Sequence, residues 1–426
     1  MTVQQSAPVP SATPTATKRA IAAATVGNAL EWFDLALYAL LASYIGRTFF
    51  PSDDAGVQLV QTYAVFGITY LIRPVGGLVL GAYADRHGRK KALMLSIRLM
   101  VAGTLLMAFM PGYATLGIAA PLGIVLARLL QGFAAAGEFG AATSFLVEQN
   151  AGRKGFLGSF QFASQGLSTL MAAGFAAGLT AVLSDGQMTS WGWRVPFVFG
   201  LLIGPVGYFV RRYVEESPAM AETPGVRSPV RAVFRDHWGG LLVAGGVLIV
   251  STALNFMLQY LPTFGIKELG LDDSLAYVAL FVTGAILTFG TPVVGLLADR
   301  YGRVRIMLPS ALLIGAAAVP LFVWLTASPS FLTLMLCMTV LGLLKAAYFG
   351  ALPSVMSDVF SARARATGLS FSYNTTVAVF GGFTPTIAAA LVTATGSQVS
   401  PAYYLLAVAV LSVGALVAGA RRHGIR

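Results

Sequence analysis

Apolar stretches of about 20 residues or more recur along the whole length of this 426-residue chain. Each is long enough to cross a hydrocarbon layer of roughly 30 Å as an α-helix. Backbone polar groups in lipid must bond within closed structures, and these stretches lack the alternating pattern of a β-barrel. Of all residues, 56% are hydrophobic and 11% are charged, a composition that excludes a water-soluble fold. The sequence therefore predicts an all-α membrane protein.

The apolar segments divide the chain into regions. We predict twelve transmembrane helices, at residues 20–47, 57–84, 92–111, 117–149, 155–183, 192–212, 239–265, 275–298, 305–326, 330–357, 364–393 and 401–420. Residues 1–17 carry no charged side chain and are rich in Pro, Ser and Thr, which predicts a disordered cytoplasmic tail. The longest polar interruption predicts a cytoplasmic linker at 213–237, between an N-terminal six-helix bundle at 18–212 and a C-terminal one at 238–426.

One short motif occurs twice, about half a chain length apart. It reads GAYADRHGRKK at 81–91 and GLLADRYGRVR at 295–305, and six of the first nine positions are identical. This repeat predicts a duplicated bundle with two pseudo-symmetric halves. The acid of each copy can accept hydrogen bonds from the N-terminus of another helix, and its arginines can tether neighbouring helices. We predict a cytoplasmic gate at Asp85, Arg86, Arg89, Asp299, Arg300 and Arg303; a plain topology signal is the simpler alternative.

The basic residues predict how the chain is oriented. If the N-terminus is cytoplasmic, 21 of the 28 lysines and arginines fall in the predicted inner segments, as the positive-inside rule requires. Both termini are then cytoplasmic. The same asymmetry accounts for the net charge of +11, so a nucleic-acid partner is not needed to explain it.

Seven ionisable residues fall inside predicted spans: Glu31, Asp34, Arg73, Arg98, Arg128, Glu138 and Lys345. Charges in hydrocarbon cost several kcal/mol unless they are paired or hydrated, so each is a functional candidate. Arg98 is closest to a span end, where its side chain can reach the surface. We predict that at least one of Glu31, Asp34 and Glu138 binds and releases a proton, since burial favours the neutral form of a carboxyl group. The alternative is a static salt bridge, such as Glu31 with Arg73.

Other polar residues predict a substrate site. Lys345 is the one embedded charge of the second half, so its partner is either an acid of the first half or the substrate itself. Gln161 with Gln165, and Asn255 with Gln259, follow helical spacing, and Tyr373 precedes Asn374 on span eleven. Each pair can line a cavity or join helices by hydrogen bonds. Tyr38 completes a polar stripe with Asn28, Glu31 and Asp34 on the first helix.

The repeated loops, the twelve spans and the central linker resemble the major facilitator superfamily. Four motifs resemble its metabolite–proton symporter family: GNALEWFDLALY (27–38), RPVGG (73–77), RLLQGFAAAGE (128–138) and WGWRVPF (191–197). Within that family the chain most resembles citrate–proton symporters, through residues 64–94, SFQFASQG (159–166) and GGFTPTIAAALV (381–392). Two features resemble the osmoprotectant branch instead, namely Trp32 within LEWFD and the segment PAYYL at 401–405.

The resemblance implies the major facilitator fold. It also implies that the family's motif residues are Glu31, Asp34, Arg73, Arg128, Gln131 and Glu138. The residues that match the family's loop gate are Asp85, Gly88 and Arg89. We expect proton coupling to involve Glu31, Asp34, Arg128 and Glu138. We expect substrate contacts from Arg73, Lys345, Gln161, Gln165, Asn255, Asn374 and Tyr38. Lys345 stands where citrate transporters are expected to have an uncharged residue, and a cation at mid-membrane favours a carboxylate substrate.

Together these observations predict a symporter of the bacterial inner membrane, not an enzyme. It would couple inward proton flow to uptake of a small organic anion, a di- or tricarboxylate such as citrate or tricarballylate, by alternating access. The alternatives are uptake of a zwitterionic osmoprotectant of the proline or betaine type and, less favoured, a drug/proton antiporter. We expect the proton as coupling ion, no metal or other cofactor, the lipid bilayer as surroundings, and function as a monomer.

Overall fold

The computed structural model describes residues 14–87, 89–205, 234–235, 237–361 and 364–424. Within these ranges, the side chains of residues 14–24, 81–82, 84–86, 89–90, 138, 141, 151 and 423 lie outside the description. All the regular structure in this part of the chain is helical. The predicted linker at 213–237 falls almost wholly outside the described residues.

The described residues before position 206 include eleven α-helices. Their bounds are α1 Pro14–Leu40, α2 Ala42–Phe49, α3 Ala55–Leu71, α4 Arg73–His87, α5 Arg89–Phe109, α6 Tyr113–Leu116, α7 Ala119–Ala135, α8 Glu138–Glu148, α9 Lys154–Val182, α10 Asp185–Ser190 and α11 Val195–Gly200. The first begins at Pro14, within the predicted tail.

Eight α-helices follow residue 237. They are α12 Trp238–Leu269, α13 Asp273–Ala285, α14 Thr291–Tyr301, α15 Arg303–Ala327, α16 Phe331–Asp358, α17 Arg365–Thr376, α18 Thr384–Thr395 and α19 Ser400–His423. Two π-helical segments interrupt predicted spans, at Ile286–Gly290 and Val377–Gly381. Such segments widen a helix locally and are frequent at functional sites.

In the described part of the chain, nine helices are long and apolar enough to cross a membrane, and a tenth candidate is a bent pair. That pair is the predicted span 20–47, which bends by 67° between Thr25–Leu40 and Ala42–Phe49. The span predicted at 117–149 is likewise two helices, α7 and α8, separated at Ala136 and Gly137. Both predicted spans are therefore interrupted, the first at Leu41 and the fourth at Ala136 and Gly137.

The two halves of the chain, before residue 206 and after residue 237, pack against each other along several helices. Helix α9 lies along α13 and α14, α8 against α17, and α3 against α18. Glycine allows the closest approach: a Cβ atom at Gly166 would lie 2.6 Å from the backbone nitrogen of Thr288, and one at Gly284 would lie 2.5 Å from that of Leu170. The surface between the halves is therefore tightly packed at these places.

Candidate functional site

A small cavity lies between the two halves in the middle of the bundle. Its lining comes from both halves and combines aromatic with amide side chains: Trp32, Phe162, Gln165, Leu248, Thr252, Asn255, Phe256, Phe349 and Tyr373. Its volume is about 10 Å³, enough for about one water molecule. A molecule larger than water does not fit in this conformation.

Lys345 is a buried cation at the edge of this cavity. Its Nζ donates a hydrogen bond of 2.5 Å to Oδ1 of Asn255, a lining residue. It also lies 4.7 Å from the ring centroid of Phe349, another lining residue. The residue is 1% exposed, and no ion pair to it is found within the described residues. The end of this side chain therefore lies between Asn255 and Phe349, at the edge of the cavity.

Arg73 is a second buried cation beside the same cavity. Its guanidinium carbon lies 5.2 Å from the ring centroid of Trp32 and 4.6 Å from that of Tyr70. Its Nε and NH2 atoms are buried with no hydrogen-bond partner in the described part of the chain. None of the ion pairs found among the described residues involves Arg73.

Aromatic contacts close the cavity from both halves. The ring of Tyr373 stacks on Phe139 with centroids 3.5 Å apart, and the ring of Phe349 stacks on Phe162 at 4.1 Å. Gln165 donates a hydrogen bond of 3.3 Å from Nε2 to the Tyr373 hydroxyl. All three contacts join a residue of the first half to a residue of the second.

A separate polar cluster surrounds Asp34, which is 1% exposed. Its Oδ2 accepts a hydrogen bond of 2.7 Å from the Thr104 hydroxyl and another from Nε2 of Gln131. Arg128 donates from NH1 to the other end of the same amide, Oε1 of Gln131, at 2.7 Å. Its guanidinium carbon also lies 4.4 Å from the ring centroid of Tyr38. The acid and the arginine are therefore linked through Gln131.

Several predicted substrate contacts lie away from the cavity lining. Tyr38 donates its hydroxyl to the carbonyl of Thr62 at 3.1 Å. Gln161 donates from Nε2 to Oδ1 of Asn28 at 3.3 Å, within the first half. In this conformation both residues join helices of one half.

Two other predicted site residues are Asn374 and Glu138. Asn374 joins the halves: its Nδ2 donates to the carbonyl of Ala136 at 2.8 Å, at the break between α7 and α8. The side chain of Glu138 lies outside the described residues. Arg98 is exposed on the surface of α5.

The second copy of the repeated loop lies at one end of the bundle, here named the loop end. The carboxylate of Asp299 accepts hydrogen bonds from the backbone nitrogens of Gly155 and Phe156, at 2.7 and 2.9 Å. These are the free N–H groups of the first turn of α9, where a negative charge is stabilised. Gly302 follows with a φ of 99°, a conformation that favours glycine.

Ion pairs surround this contact at the loop end. Arg303 forms an ion pair with Asp358 within the second half. Lys154 also forms an ion pair with Asp358, at 3.1 Å, and this pair joins the two halves. Arg365 forms an ion pair with Glu148 at 2.6 Å, which also joins the two halves. Arg300 lies with its guanidinium carbon 5.2 Å from the ring centroid of Tyr301. The side chains of three predicted gate residues lie outside the described residues: Asp85, Arg86 and Arg89.

The opposite end of the bundle is also closed across the halves. The hydroxyl of Tyr44 donates to Oδ2 of Asp273 at 2.6 Å, and that of Tyr277 donates to the carbonyl of Leu40 at 2.9 Å. The two halves are therefore in contact at both ends of the bundle, with the small cavity between these ends.

Some residues of these clusters are not singled out by the sequence. Thr104 is not among the predicted residues, while Gln131 enters only as a motif position and Trp32 only as a feature that resembles the osmoprotectant branch. A hydroxyl or an aromatic ring is ordinary in a membrane helix, so these residue types carry no separate signal. The contact between Arg128 and Gln131 is indicated by their spacing of one turn on α7.

Comparison with known proteins agrees with this architecture. A family model described as Major Facilitator Superfamily matches residues 24–324 and 280–423. The chain is 39% identical over 392 residues to a citrate-proton symporter of Klebsiella pneumoniae, covering 91% of this chain and 88% of that protein. It is 31% identical over 411 residues to a proline/betaine transporter of Salmonella typhimurium, covering 93% and 82%.

Among solved structures, the proton:xylose symporter XylE bound to 6-bromo-6-deoxy-D-glucose is similar, with a TM-score of 0.76. The identity is 15%, and 94% of each chain is covered. A bacterial homologue of the lysosomal transporter Spinster, in an inward-facing and occupied conformation, gives a TM-score of 0.65 at 19% identity, covering 97% and 98%. These similarities concern the fold.

Proposed function

Because the chain belongs to the Major Facilitator Superfamily, a family of transport proteins and not of enzymes, we propose that it imports a small organic anion together with protons. The substrate class is a di- or tricarboxylate such as citrate or tricarballylate. The observation that carries this proposal is a pair of buried cations, Arg73 and Lys345, one from each half, both in contact with the lining of one central cavity.

The chemistry of the two cations supports an anionic substrate with more than one carboxylate. Neither has an ion pair within the described residues, and Arg73 leaves two buried donor atoms without a hydrogen-bond partner. A buried charge without a counter-ion is costly, and a hydrogen bond to a charged group contributes about 1.5–3 kcal/mol. A substrate carboxylate at each cation would supply the missing partners from both halves at once.

The proton is proposed to bind at Asp34. This acid is buried in the first half, and Gln131 links it to Arg128, so its charge state acts on a neighbouring cation. Protonation would remove the charge that holds the Gln131 amide in its present orientation. Glu31, which is also buried, and Glu138 remain further candidates for this role.

Transport is proposed to proceed by alternating access of two six-helix bundles within a twelve-helix fold. The loop end and both termini would face the cytoplasm of a bacterial inner membrane, and a monomer would suffice. The cavity of about 10 Å³ must widen to admit a substrate. One set of contacts between the halves, at Asp299 or at Asp273, would open while the other stays closed.

A second candidate substrate is a zwitterionic osmoprotectant of the betaine or proline type. The observation that favours it is the aromatic lining, with five rings from Trp32, Phe162, Phe256, Phe349 and Tyr373. Quaternary ammonium groups bind over aromatic faces. A proline/betaine transporter is among the relatives. Two buried cations beside the same rings would repel that ammonium group, so the anion is the better fit.

Uptake into proteoliposomes with an imposed pH gradient separates the two candidates. The assay measures accumulation of labelled citrate and its competition by tricarballylate, four-carbon dicarboxylates, betaine and proline. Competition by carboxylates alone is the expected result. Accumulation of labelled betaine, with no accumulation of labelled citrate and no inhibition by any di- or tricarboxylate, would overturn the proposed substrate class.

A further inference from the structure

The two oxygens of the Asp34 carboxylate differ in their surroundings. Oδ2 accepts hydrogen bonds from both Thr104 and Gln131. Oδ1 is buried and has no hydrogen-bond partner in the described part of the chain. An ionised carboxylate accepts hydrogen bonds at both oxygens, so an orphaned buried oxygen marks the place where a partner is missing.

Gly200, the last residue of α11, lies against this oxygen. A Cβ atom at position 200 would lie 3.1 Å from Oδ1 of Asp34. Gly204 offers a matched comparison four residues later, because a Cβ atom there would also have its nearest contact at 3.1 Å, with the apolar Cγ2 of Val101. The two glycines differ in what an added methyl group would touch.

We propose that Asp34 exchanges its transported proton at Oδ1, and that Gly200 is the positioning residue that keeps this oxygen open to a proton donor. The inference rests on the proposed function, since it specifies how the proposed proton site is reached. Around the carboxylate, α5 contributes Thr104, α7 contributes Gln131 with the charged Arg128 behind it, and α11 contributes Gly200.

The physical reason is contact geometry. A proton reaches a buried carboxylate through a donor, such as a water molecule, that touches the accepting oxygen. Thr104 and Gln131 already contact Oδ2. On α11 the residue facing Oδ1 is Gly200, and a methyl group at that position would lie 3.1 Å from the oxygen, where a proton donor would have to sit.

The test compares Gly200→Ala with Gly204→Ala in proteoliposomes. Two rates are measured: uptake driven by a pH gradient, which requires the site to gain and lose its proton in each cycle, and counterflow exchange at low pH, in which the proton can stay bound. For Gly200→Ala we expect gradient-driven uptake to fall at least tenfold while counterflow stays within twofold of wild type. Gly204→Ala should change both rates by less than twofold.

A Gly200→Ser variant separates proton access from packing. Serine adds at least as much bulk as alanine but supplies a hydroxyl group that can donate to Oδ1. It should therefore retain several-fold more gradient-driven uptake than Gly200→Ala. If alanine and serine lower uptake and counterflow in parallel, the glycine is only a packing residue and the inference is wrong. If the alanine variant does not fold, the serine variant alone distinguishes the two roles, because a parallel loss of both rates in it again indicates packing.

An Asp34→Asn background shows which proposal fails. If that variant still accumulates substrate against a gradient, the proton site lies elsewhere and the proposed role of Asp34 fails, whatever the glycine variants do. If accumulation is lost in Asp34→Asn but Gly200→Ala behaves like wild type, the role of Asp34 stands and the inference about Gly200 is overturned.

Discussion

Replacing Lys345 by methionine removes the cation of the second half from the central cavity while keeping a side chain of similar length. If the ammonium group binds a substrate carboxylate, its loss costs about 1.5–3 kcal/mol of binding free energy, the range for hydrogen bonds to charged groups. At about 1.4 kcal/mol per tenfold change, KM for the anion should rise about 10- to 150-fold. Lys345→Arg keeps the charge and should raise KM by less than tenfold.

The assay is initial-rate uptake of a labelled tricarboxylate in proteoliposomes at fixed pH gradient. Arg98→Met is the matched control, because Arg98 is an exposed cation on α5, outside the cavity lining. It should leave KM within twofold of wild type. The lysine also donates to Oδ1 of Asn255, so each variant is first compared with wild type in thermal unfolding.

Two outcomes would contradict this role of Lys345. A folded Lys345→Met variant with KM within twofold of wild type would show that the ammonium group does not bind the substrate. Equal losses in Lys345→Met and Lys345→Arg would show that the shape of the lysine, and not its charge, is what the site requires.

Two further predictions concern the contacts between the halves, measured by spin-label distances across each end in a Cys337→Ser background. Asp299→Asn removes the negative charge that lies at the first turn of α9. This change should favour opening at the loop end by about 1–2 kcal/mol. An unchanged spin-label distance at the loop end would contradict this prediction. Tyr44→Phe removes the hydrogen bond to Asp273 and should favour opening at the opposite end by about 1.5–3 kcal/mol; a shift at the loop end instead would show the expectation to be wrong.

The sequence predicted the membrane helices and the buried charges because both depend on composition along short segments. An ionisable residue within an apolar run stands out, and the structure buries Asp34, Arg73, Arg128 and Lys345. The bend at Leu41 carried no signal, since a leucine is ordinary in a helix. Local pattern therefore indicated which residues matter without giving their partners.

The hydrogen-bond partners of these buried residues could not be predicted, because they come from distant parts of the chain. Thr104 bonds to Asp34 across 70 residues, and a threonine in an apolar run is typical of membrane helices. Gly200 approaches the same carboxylate through helix packing alone. The polar stripe of the first helix predicted one lining surface, but the structure directs Tyr38 towards Thr62 and Arg128, away from the cavity lining.

Proton movement during substrate entry tests whether a carboxylate and a proton cross the membrane together. Proteoliposomes contain a pH-sensitive dye, and a tricarboxylate is added outside with no imposed pH gradient. We expect the lumen to acidify on addition of the carboxylate with the wild-type protein and not to acidify with Asp34→Asn. Coupled transport of a carboxylate and a proton would be ruled out by entry of labelled carboxylate without acidification in the wild type, or by acidification triggered by betaine and by no carboxylate.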